Sequence, residues 1–207
     1  MRTLLVTGYD DKMAELGVLT TPLMQSYASL QRFDFKCVRG AIEPLCIYWM
    51  KVIETIRALE SGYDRVFWMD ADQVVTNPKF NPDWVSGFHV SKYWGQDATE
   101  DYQFSVCGYV ACADSKFILQ GALDSEPFWR GCDFPEQRPI QEQFKNSDQV
   151  KMAMTIHPRK TFNAVPVEIH QDVVDRWTPN DFSAHLTMVP IAERVRLFHE
   201  IRKQVQV

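Results

Sequence analysis

The sequence predicts a single α/β domain in which a mixed, mainly parallel central sheet is flanked by helices. Three observations predict it. Short apolar runs alternate with helical patterns over residues 3–72, as in parallel strands joined by helices. The 207 residues suit one domain with a full core. With 45% hydrophobic and 24% charged residues, the composition is that of an ordinary globular protein.

The first half of the chain alternates strand and helix. Its predicted strands cover residues 3–7, 33–38 and 65–69. Pro22 is expected in the first turn of the first helix, where proline is tolerated. The second helix follows Pro44, its apolar face includes Trp49 and Ile56, and Gly62 ends it. This order predicts that the carboxyl ends of the strands share one edge, where ligands of such sheets bind.

The second half is less regular. Its predicted strands cover residues 87–93 and 104–113, and its predicted helices cover residues 115–123, 148–154 and 190–207. Residues 125–143 are rich in proline, glutamate and aromatic residues, and we predict a long loop there. The terminal helix is locally basic, although the whole chain carries a net charge of −5.

Charge and cysteine content narrow the function classes. The negative net charge disfavours nucleic acid as the default partner, although a local basic groove stays open. The 5 cysteines form no C-x-x-C pair, which argues against a structural zinc site or a disulfide framework. We expect small core thiols in a reducing cytosol.

No apolar stretch approaches the ~20 residues that span a bilayer, so we expect a soluble cytoplasmic protein with no membrane span.

Asp70 and Asp72 come directly after the third predicted strand. Hard cations such as Mg²⁺ and Mn²⁺ prefer carboxylate oxygens together with substrate phosphates. A cation held there can neutralise a departing nucleotide diphosphate. The pattern therefore indicates a divalent-metal site, and a plain turn completed by Asn77-Pro78 is the alternative.

Two weaker signals lie later in the chain. His185 follows a mixed apolar stretch and can supply a nitrogen ligand to the same metal. A structural histidine is the alternative. Asp148 and Gln149 begin a predicted helix, where they can bond sugar hydroxyls or stabilise positive charge at a reacting carbon. The alternative is that Asp148 only caps the helix.

Three stretches carry a family resemblance: Trp49-x-Lys51, Ile56-Arg57-x-Leu59 and Phe67-Trp68-Met69-Asp70-x-Asp72. They resemble nucleotide-sugar glycosyltransferases of the GT-A fold, and most of all the fungal α-galactosyltransferase and plant xyloglucan xylosyltransferase family. Further sites agree in order: Thr7-Gly8-Tyr9, Tyr27-Ala28, Asp148-Gln149 and Ala184-His185-Leu186. The resemblance implies a single GT-A domain, with residues 1–78 as its nucleotide-binding half and residues 79–207 as its acceptor-binding half.

The resemblance also implies roles for individual residues. The implied ligands of Mn²⁺ or Mg²⁺ are Asp70, Asp72 and His185. The implied contacts to a nucleotide diphosphate sugar are Thr7, Gly8, Tyr9, Lys51, Asp70 and Arg194. Asp148 and Gln149 are the implied catalytic residues, beside the transferred sugar. A UDP-sugar is favoured over a GDP-sugar.

The sequence departs from the family in three places. Val106-Cys107-Gly108 stands where members have Asn-x-Gly, which affects donor-sugar or acceptor contacts. Thr187-Met188-Val189-Pro190 replaces the usual glycine and lysine after the late histidine, which leaves Arg194 as the candidate for diphosphate binding. The membrane anchor and stem of Golgi members are not expected here. We therefore expect a cytoplasmic enzyme, and a phage-encoded enzyme in host cytoplasm fits the same description.

The resemblance implies transfer with retention of anomeric configuration, without a dedicated general base. If the enzyme inverts, a carboxylate must act as base, and Glu136 or Glu142 in the predicted loop are the candidates. A haloacid-dehalogenase-like phosphatase with Asp70 as nucleophile is the rival reaction, although its motif normally ends the first strand. A binding module with an inactive site is the third possibility.

The acceptor is not readable from these motifs. A glycan or a hydroxymethylated pyrimidine in phage-type DNA both fit. The DNA reading depends on the basic terminal helix and on Trp84, Tyr93, Trp94 and Trp129 as stacking platforms. The alternative is that the helix is a solvated face and that the aromatic residues belong to the core. Oligomeric state stays unknown at this stage.

Overall fold

The computed structural model describes residues 1–40, 45–93, 103–166, 169 and 176–205. Within these ranges the strands are β1 (Thr3–Tyr9), β2 (Asp34–Arg39), β3 (Arg65–Met69), β4 (Gln73–Val75), β5 (Phe88–Lys92), β6 (Phe104–Cys112), β7 (Met154–His157) and β8 (Ser183–His185). The α-helices are α1 (Ala14–Gln31), α2 (Met50–Glu60), α3 (Lys116–Asp124), α4 (Glu126–Trp129), α5 (Gln137–Asn146), α6 (Asp148–Ala153) and α7 (Ile191–Val205). Pro44, Trp94 and positions 206–207 lie outside the described residues.

Within the described chain, six strands form the main sheet in the order β2-β1-β3-β6-β5-β7. Strand β6 runs antiparallel to both of its neighbours, β3 and β5, and the other strands run parallel to one another. The predicted mixed, mainly parallel sheet is thus confirmed. Because β1 and β3 are parallel neighbours, their polar carboxyl ends meet at one edge, as the strand order predicts.

Both faces of the main sheet are covered by helices. Side chains alternate along β3, so Val66 and Trp68 pack in the same core cluster as residues of α2, while Phe67 and Met69 pack in another with residues of α1. Every residue of β3 is buried. This explains why the strand reads as a continuous apolar run, since a strand covered on both faces has no solvent side.

The first helix starts earlier than predicted. A 3-10 turn, Asp11–Met13, precedes α1, and the Asp10 carboxylate caps it by accepting from the backbone N–H groups of Lys12 and Met13. Pro22 therefore lies inside α1 and not in its first turn. The prediction missed this start because the apolar pattern was counted from the proline and the aspartate cap was not recognised.

The long loop predicted over residues 125–143 is wrong. Helices α4 and α5 occupy much of this stretch. Pro127 and Pro139 suggested a loop, yet each lies in the first turn of a helix, where no intrahelical N–H bond is lost. The mixed polarity of α5 hides an inner face, on which Gln137, Pro139 and Ile140 are buried.

A two-stranded antiparallel sheet, β4 with β8, lies beside the main sheet. It packs in a cluster with α1 and α7 through Leu16, Val74, Ala184 and Leu197. Neither strand was predicted, because each has only three residues and its partner is more than 100 positions away along the chain. This small sheet brings His185 next to the turn that follows β3.

The burial of the cysteines agrees only in part with the sequence prediction. All five cysteines are free thiols, as expected from their spacing. The expectation that they are core residues holds for Cys107 and Cys112 but is wrong for Cys46 and Cys132, which are exposed. Among the described residues, no helix combines the length and apolar character needed to cross a membrane.

Candidate active site

A cavity of about 640 Å³ opens at the carboxyl edge of β1 and β3. One side is formed by the end of β1, with Gly8 and Tyr9. The middle is formed by the turn after β3 and by His185, and the other side by β6 and the segment before α5, with Cys107 and Glu136. The order β1-β3-β6 in the sheet therefore also orders the walls of the cavity.

The turn after β3 is tightly held. The N–H of Asp70 donates to the carbonyl of Cys107 at 2.9 Å, and the N–H of Gln73 donates to the carbonyl of Asp70 at 3.0 Å. The Thr20 hydroxyl of α1 donates to the carbonyl of Ala71 at 2.7 Å. These bonds satisfy the backbone where the strand ends and orient both aspartates toward the cavity, which both of them line.

Asp72 lies between two nitrogen-bearing side chains. Its Oδ1 is 3.3 Å from Nε2 of His185, and Nη1 of Arg194 donates to its Oδ2 at 2.7 Å. The pairing of β4 with β8 brings His185 there, and α7 supplies Arg194. Burial raises the pKa of Asp72, but His185 and Arg194 lower it more, to about 2. Asp72 is therefore a carboxylate at neutral pH.

His185 is oriented by a second side chain. Its Nδ1 is 2.6 Å from Oδ1 of Asn163, an oxygen that can only accept, so Nδ1 carries a proton and donates. Burial lowers the pKa of His185, while Cys107 and Asp72 raise it well above the ordinary value. The bond to Asn163 leaves Nε2 as the ring atom that faces Asp72 and the cavity, which is the arrangement of a metal-ligating histidine with its supporting acceptor.

The donor set fits a divalent cation. Asp70, Asp72 and His185 each offer one ligand atom, and the three atoms lie within 4.8 Å of one another. Two carboxylates with one imidazole suit Mn²⁺ or Mg²⁺ and leave positions for phosphate oxygens. Among the described residues, this is the one group of three such side chains that could hold a metal ion. Its members are the three residues that the sequence analysis proposes as ligands.

Lys51 contacts both Asp70 of the candidate metal site and Glu136 on the far wall of the cavity. Its ammonium lies 3.0 Å from Oδ1 of Asp70 and 3.2 Å from Oε1 of Glu136, and it donates to the carbonyl of Val106 at 3.3 Å. Burial lowers the pKa of Lys51, but Asp70 and Glu136 raise it further. Burial raises the pKa of both carboxyls against the effect of Lys51. Trp68 Nε1 also donates to Asp70, at 2.6 Å.

The end of β1 forms the opposite wall. Gly8 and Tyr9 line the cavity there, but Thr7 is fully buried and does not. The ring of Tyr9 lies so close to α1 that a Cβ on Gly17 would be 2.5 Å from its Cδ1. Glycine at this helix position therefore allows the ring to pack against the helix. Of the three residues proposed for base and ribose binding, two line the cavity.

The structure does not bring Asp148 and Gln149 to this cavity. Both are exposed at the start of α6, and the Asp148 side chain is 92% exposed and pairs with Lys151. Ser147 is the cap, since its hydroxyl accepts from the N–H of Val150. The first turn of α6 thus directs Asp148 outward, and a catalytic role for this pair stays a prediction.

Two residues of the site were not found from the sequence. Asn163 carried no signal, because nothing local links it to His185. Glu136 was considered only as a base for an inverting reaction, in a segment predicted as a loop. A buried glutamate beside a buried lysine is visible only once α2 and α5 are placed against β6.

The fold and this site define the chain as a GT-A-type protein, and the comparisons agree. No protein-family model matches the sequence, and no curated protein matches it. Solved structures do match. One is a glycosyltransferase involved in glycosylation of the major capsid of the virus PBCV-1, with a TM-score of 0.71, 14% identity, and coverage of 97% of this chain and 100% of that one.

Two further solved glycosyltransferases are similar over nearly the whole of this chain. The glycosyltransferase GlyE of Streptococcus pneumoniae has a TM-score of 0.61 at 10% identity, and the match covers 100% of this chain but 61% of GlyE. The galactosyltransferase LgtC, solved with donor and acceptor sugar analogues, has a TM-score of 0.58 at 13% identity, with 99% and 96% coverage. The chain therefore has the GT-A fold of these glycosyltransferases, as its sequence predicts.

Proposed function

We propose that this protein is a metal-dependent glycosyltransferase that moves a sugar from a nucleotide diphosphate sugar to an acceptor hydroxyl. The observation that carries the proposal is the cluster of Asp70, Asp72 and His185 beside the cavity of a GT-A fold. A divalent cation bound there neutralises charge on the leaving diphosphate. The sugar analogues bound to the similar LgtC support the same substrate class.

We assign the parts of the donor to the walls of the cavity as follows from the resemblance and from the lining residues. The base and ribose occupy the wall formed by Gly8 and Tyr9, with Thr7 supporting that wall from within the core. The diphosphate then lies at the metal cluster, where Arg194 offers a guanidinium. The sugar extends toward Lys51 and Glu136, because that wall lies beyond β3 in the sheet. A UDP-sugar is the first donor to test and a GDP-sugar the second, as the resemblance implies.

The reaction breaks the bond between the anomeric carbon and the diphosphate oxygen and forms one to the acceptor oxygen. With retention, the acceptor proton passes to the leaving phosphate oxygen, so no protein base is needed. Asp148 and Gln149 remain the proposed pair beside the sugar, which requires α6 to approach the cavity. If the enzyme inverts, Glu136 is the better candidate base, since Glu142 is exposed and does not line the cavity. The anomeric proton coupling of the product distinguishes the two outcomes.

A glycan is the acceptor that the surface supports best. Tyr48, Phe134 and Met188 line the cavity and are partly exposed, and such apolar surfaces suit the faces of sugar rings. Support for DNA is weaker. Trp84 stacks on His89 and His157, and Trp129 packs against the core. On the terminal helix, Arg194 turns to Asp72 and Arg196 pairs with Glu193 and Glu200.

The phosphatase alternative finds no support at Asp70. Trp68 donates to one of its oxygens, and Lys51 lies within 3.1 Å of both. Asp70 follows β3, whereas the motif of such phosphatases normally ends the first strand. The contacts favour a role for Asp70 in holding Lys51, ribose or metal.

Thermal stability against a panel of nucleotide sugars tests the proposal. UDP-glucose, UDP-galactose and GDP-mannose are added with Mn²⁺ or with a chelator, because binding to the native state raises the melting temperature. We expect a Mn²⁺-dependent rise with one nucleotide, lost in Asp72→Ala and kept in the matched control Asp34→Asn, whose carboxylate is exposed on β2. Folded protein that responds to no nucleotide would refute the proposed function.

A further inference from the structure

Both oxygens of Asp72 are already engaged by side chains of the protein, as are those of Asp70. Arg194 lies 2.7 Å from Oδ2 and His185 lies 3.3 Å from Oδ1. The Asp72 side chain is 11% exposed and that of Arg194 is 19% exposed. The guanidinium therefore neutralises this carboxylate in a region from which water is largely excluded.

A metal ion and this guanidinium compete for one carboxylate. A divalent cation bound by Asp72 and His185 would lie within a few ångströms of Nη1, and like charges that close in a partly buried site repel strongly. Arg194 thus occupies the position of a counter-ion. It lowers the affinity of the cluster for a cation as long as it stays on Asp72.

Arg194 has a second anchor that allows it to leave. Its Nε donates to the carbonyl of Val189 at 2.7 Å, just before α7, while Nη1 makes the contact to Asp72. A change at the outer torsions can move Nη1 away while the stem of the side chain stays in place. Arg194 also lines the cavity, where the diphosphate of a bound donor offers charged oxygens that suit a guanidinium fork.

We propose that Arg194 controls the access of the metal ion to its site. Its guanidinium binds Asp72 while no nucleotide is bound and turns to the diphosphate when the donor binds. This inference rests on the proposed function. Metal and nucleotide binding then become positively coupled through Arg194, because the nucleotide removes the competitor of the metal. The expected order is weak binding of metal alone and strong binding of metal together with nucleotide.

Mn²⁺ binding measured by the loss of its free-ion electron paramagnetic resonance signal tests this. Wild type, Arg194→Gln and Arg196→Gln are titrated alone and with UDP or GDP. Arg196 is the matched control, since it lies on the same helix but pairs with Glu193 and Glu200 outside the cavity. We expect Arg194→Gln to bind Mn²⁺ alone about tenfold more tightly than wild type, within the usual range of coupling between sites.

We also expect the nucleotide to raise the Mn²⁺ affinity of Arg194→Gln less than that of wild type, whereas Arg196→Gln should match wild type in both respects. Unchanged or weaker Mn²⁺ binding in folded Arg194→Gln would overturn the inference while leaving the proposed function in place. Folded wild type that binds no Mn²⁺, even with either nucleotide, would instead refute the proposed metal site.

A second variant keeps the test valid if Arg194→Gln does not fold. Arg194→Lys keeps one positive charge but has a single ammonium, which is not able to contact Val189 and Asp72 with the spacing of a guanidinium. It should bind Mn²⁺ alone several-fold more tightly than wild type. Wild-type affinity for Mn²⁺ in Arg194→Lys, with melting temperature retained, would count against the inference.

Discussion

Two buried carboxylates that line the cavity, Asp72 and Glu136, have opposite electrostatic surroundings. Asp72 contacts both Arg194 and His185, and its pKa falls to about 2. Glu136 shares the single ammonium of Lys51 with Asp70, and burial raises its pKa. Its second oxygen, Oε2, has no hydrogen-bond partner among the residues that the structure describes. Asp72 thus has two nitrogen-bearing partners of its own, whereas Glu136 and Asp70 share one ammonium.

The two carboxylates should therefore respond differently when a nearby cation is added or removed. At Asp72, the proposed metal ion would displace a resident cation, so its binding there would be coupled to that of other ligands. Around Lys51, one cation balances two acids, so its removal has no substitute nearby. The Asp72 side should respond to substitution mainly in binding, and the Lys51 side mainly in stability. Four predictions test that difference, in order of decreasing effect.

Lys51→Gln should give the largest loss of stability. It leaves the buried Glu136 and the half-buried Asp70 without a cation, and loss of a partner costs about 3–5 kcal/mol in buried pairs. Lys36→Gln is the matched control. Its ammonium pairs with Glu54, but Lys36 is 49% exposed and Arg57 still contacts that glutamate, so a loss below about 1 kcal/mol is expected. Equal midpoints of urea unfolding for the two variants would contradict the contrast.

Asn163→Ala should act on the Asp72 side by weakening metal binding. The substitution removes the acceptor that fixes the ring of His185, and such supporting groups change metal affinity by about 10- to 100-fold. The measurement is Mn²⁺ titration in the presence of nucleotide. Asn77→Ala is the control, because its amide donates to the carbonyl of Asn180 away from the cavity. A purely structural Asn163 would lower the melting temperature without this loss of affinity.

Gly17→Ala should disturb the end of β1, the wall that we propose binds the nucleotide base. The added Cβ would lie 2.5 Å from the Tyr9 ring, and overpacking of this kind costs about 1–3 kcal/mol. Gly121→Ala, also inside a helix, is the control. Its Cβ would meet the flexible end of Gln143, so the gain in helix propensity, up to about 1 kcal/mol, should prevail. Calorimetric melting curves that shift in the same direction would refute this reading.

The smallest effect concerns a neutral histidine pair, in which His89 is buried and His157 is half-buried. His89 Nδ1 lies 3.1 Å from His157 Nε2, and Trp84 stacks on both rings. Burial, followed by the nearby His89, lowers the pKa of His157 to about 4. The unfolded chain therefore binds more protons between pH 6.5 and 4, so stability falls as the pH drops through that window. Since the ring is partly solvated, the loss is on the order of 1 kcal/mol.

His157→Gln provides the matched test, because its amide can still donate to His89 but does not titrate. The unfolding free energy of this variant should decrease less than that of wild type between pH 6.5 and 4. A variant that keeps the wild-type pH dependence would assign that dependence to other groups.

The sequence predicts the part of the site that depends on neighbouring residues in the chain. The run from Arg65 to Met69 reads as a buried strand, so the location of Asp70 and Asp72 at its end follows directly. The β-α-β order then places the ends of β1 and β3 at the same edge of the sheet, and the structure shows that the two strands are neighbours. The expectation for α2 also succeeds, since its apolar face follows the helical period and Lys51 lies on the same short helix.

The predictions fail where a local signal has two meanings. Pro127 and Pro139 suggested a loop but begin helices, and the cap at Asp10 was overlooked in favour of Pro22. In each case the same residue type is compatible with a turn and with a first helical turn. Only packing against the sheet distinguishes them, because a short helix gains most of its stability from the face it buries.

The amino-acid sequence alone determined the fold class and the two aspartates of the candidate metal site, because these follow from local patterns and from the handedness of strand connections. Tertiary structure alone decided which distant groups meet them. His185 and Arg194 reach Asp72 through a three-residue sheet and a terminal helix, and Glu136 reaches Lys51 through α5. Such contacts depend on how separate elements pack together, and the local periodicity of the sequence does not predict this packing.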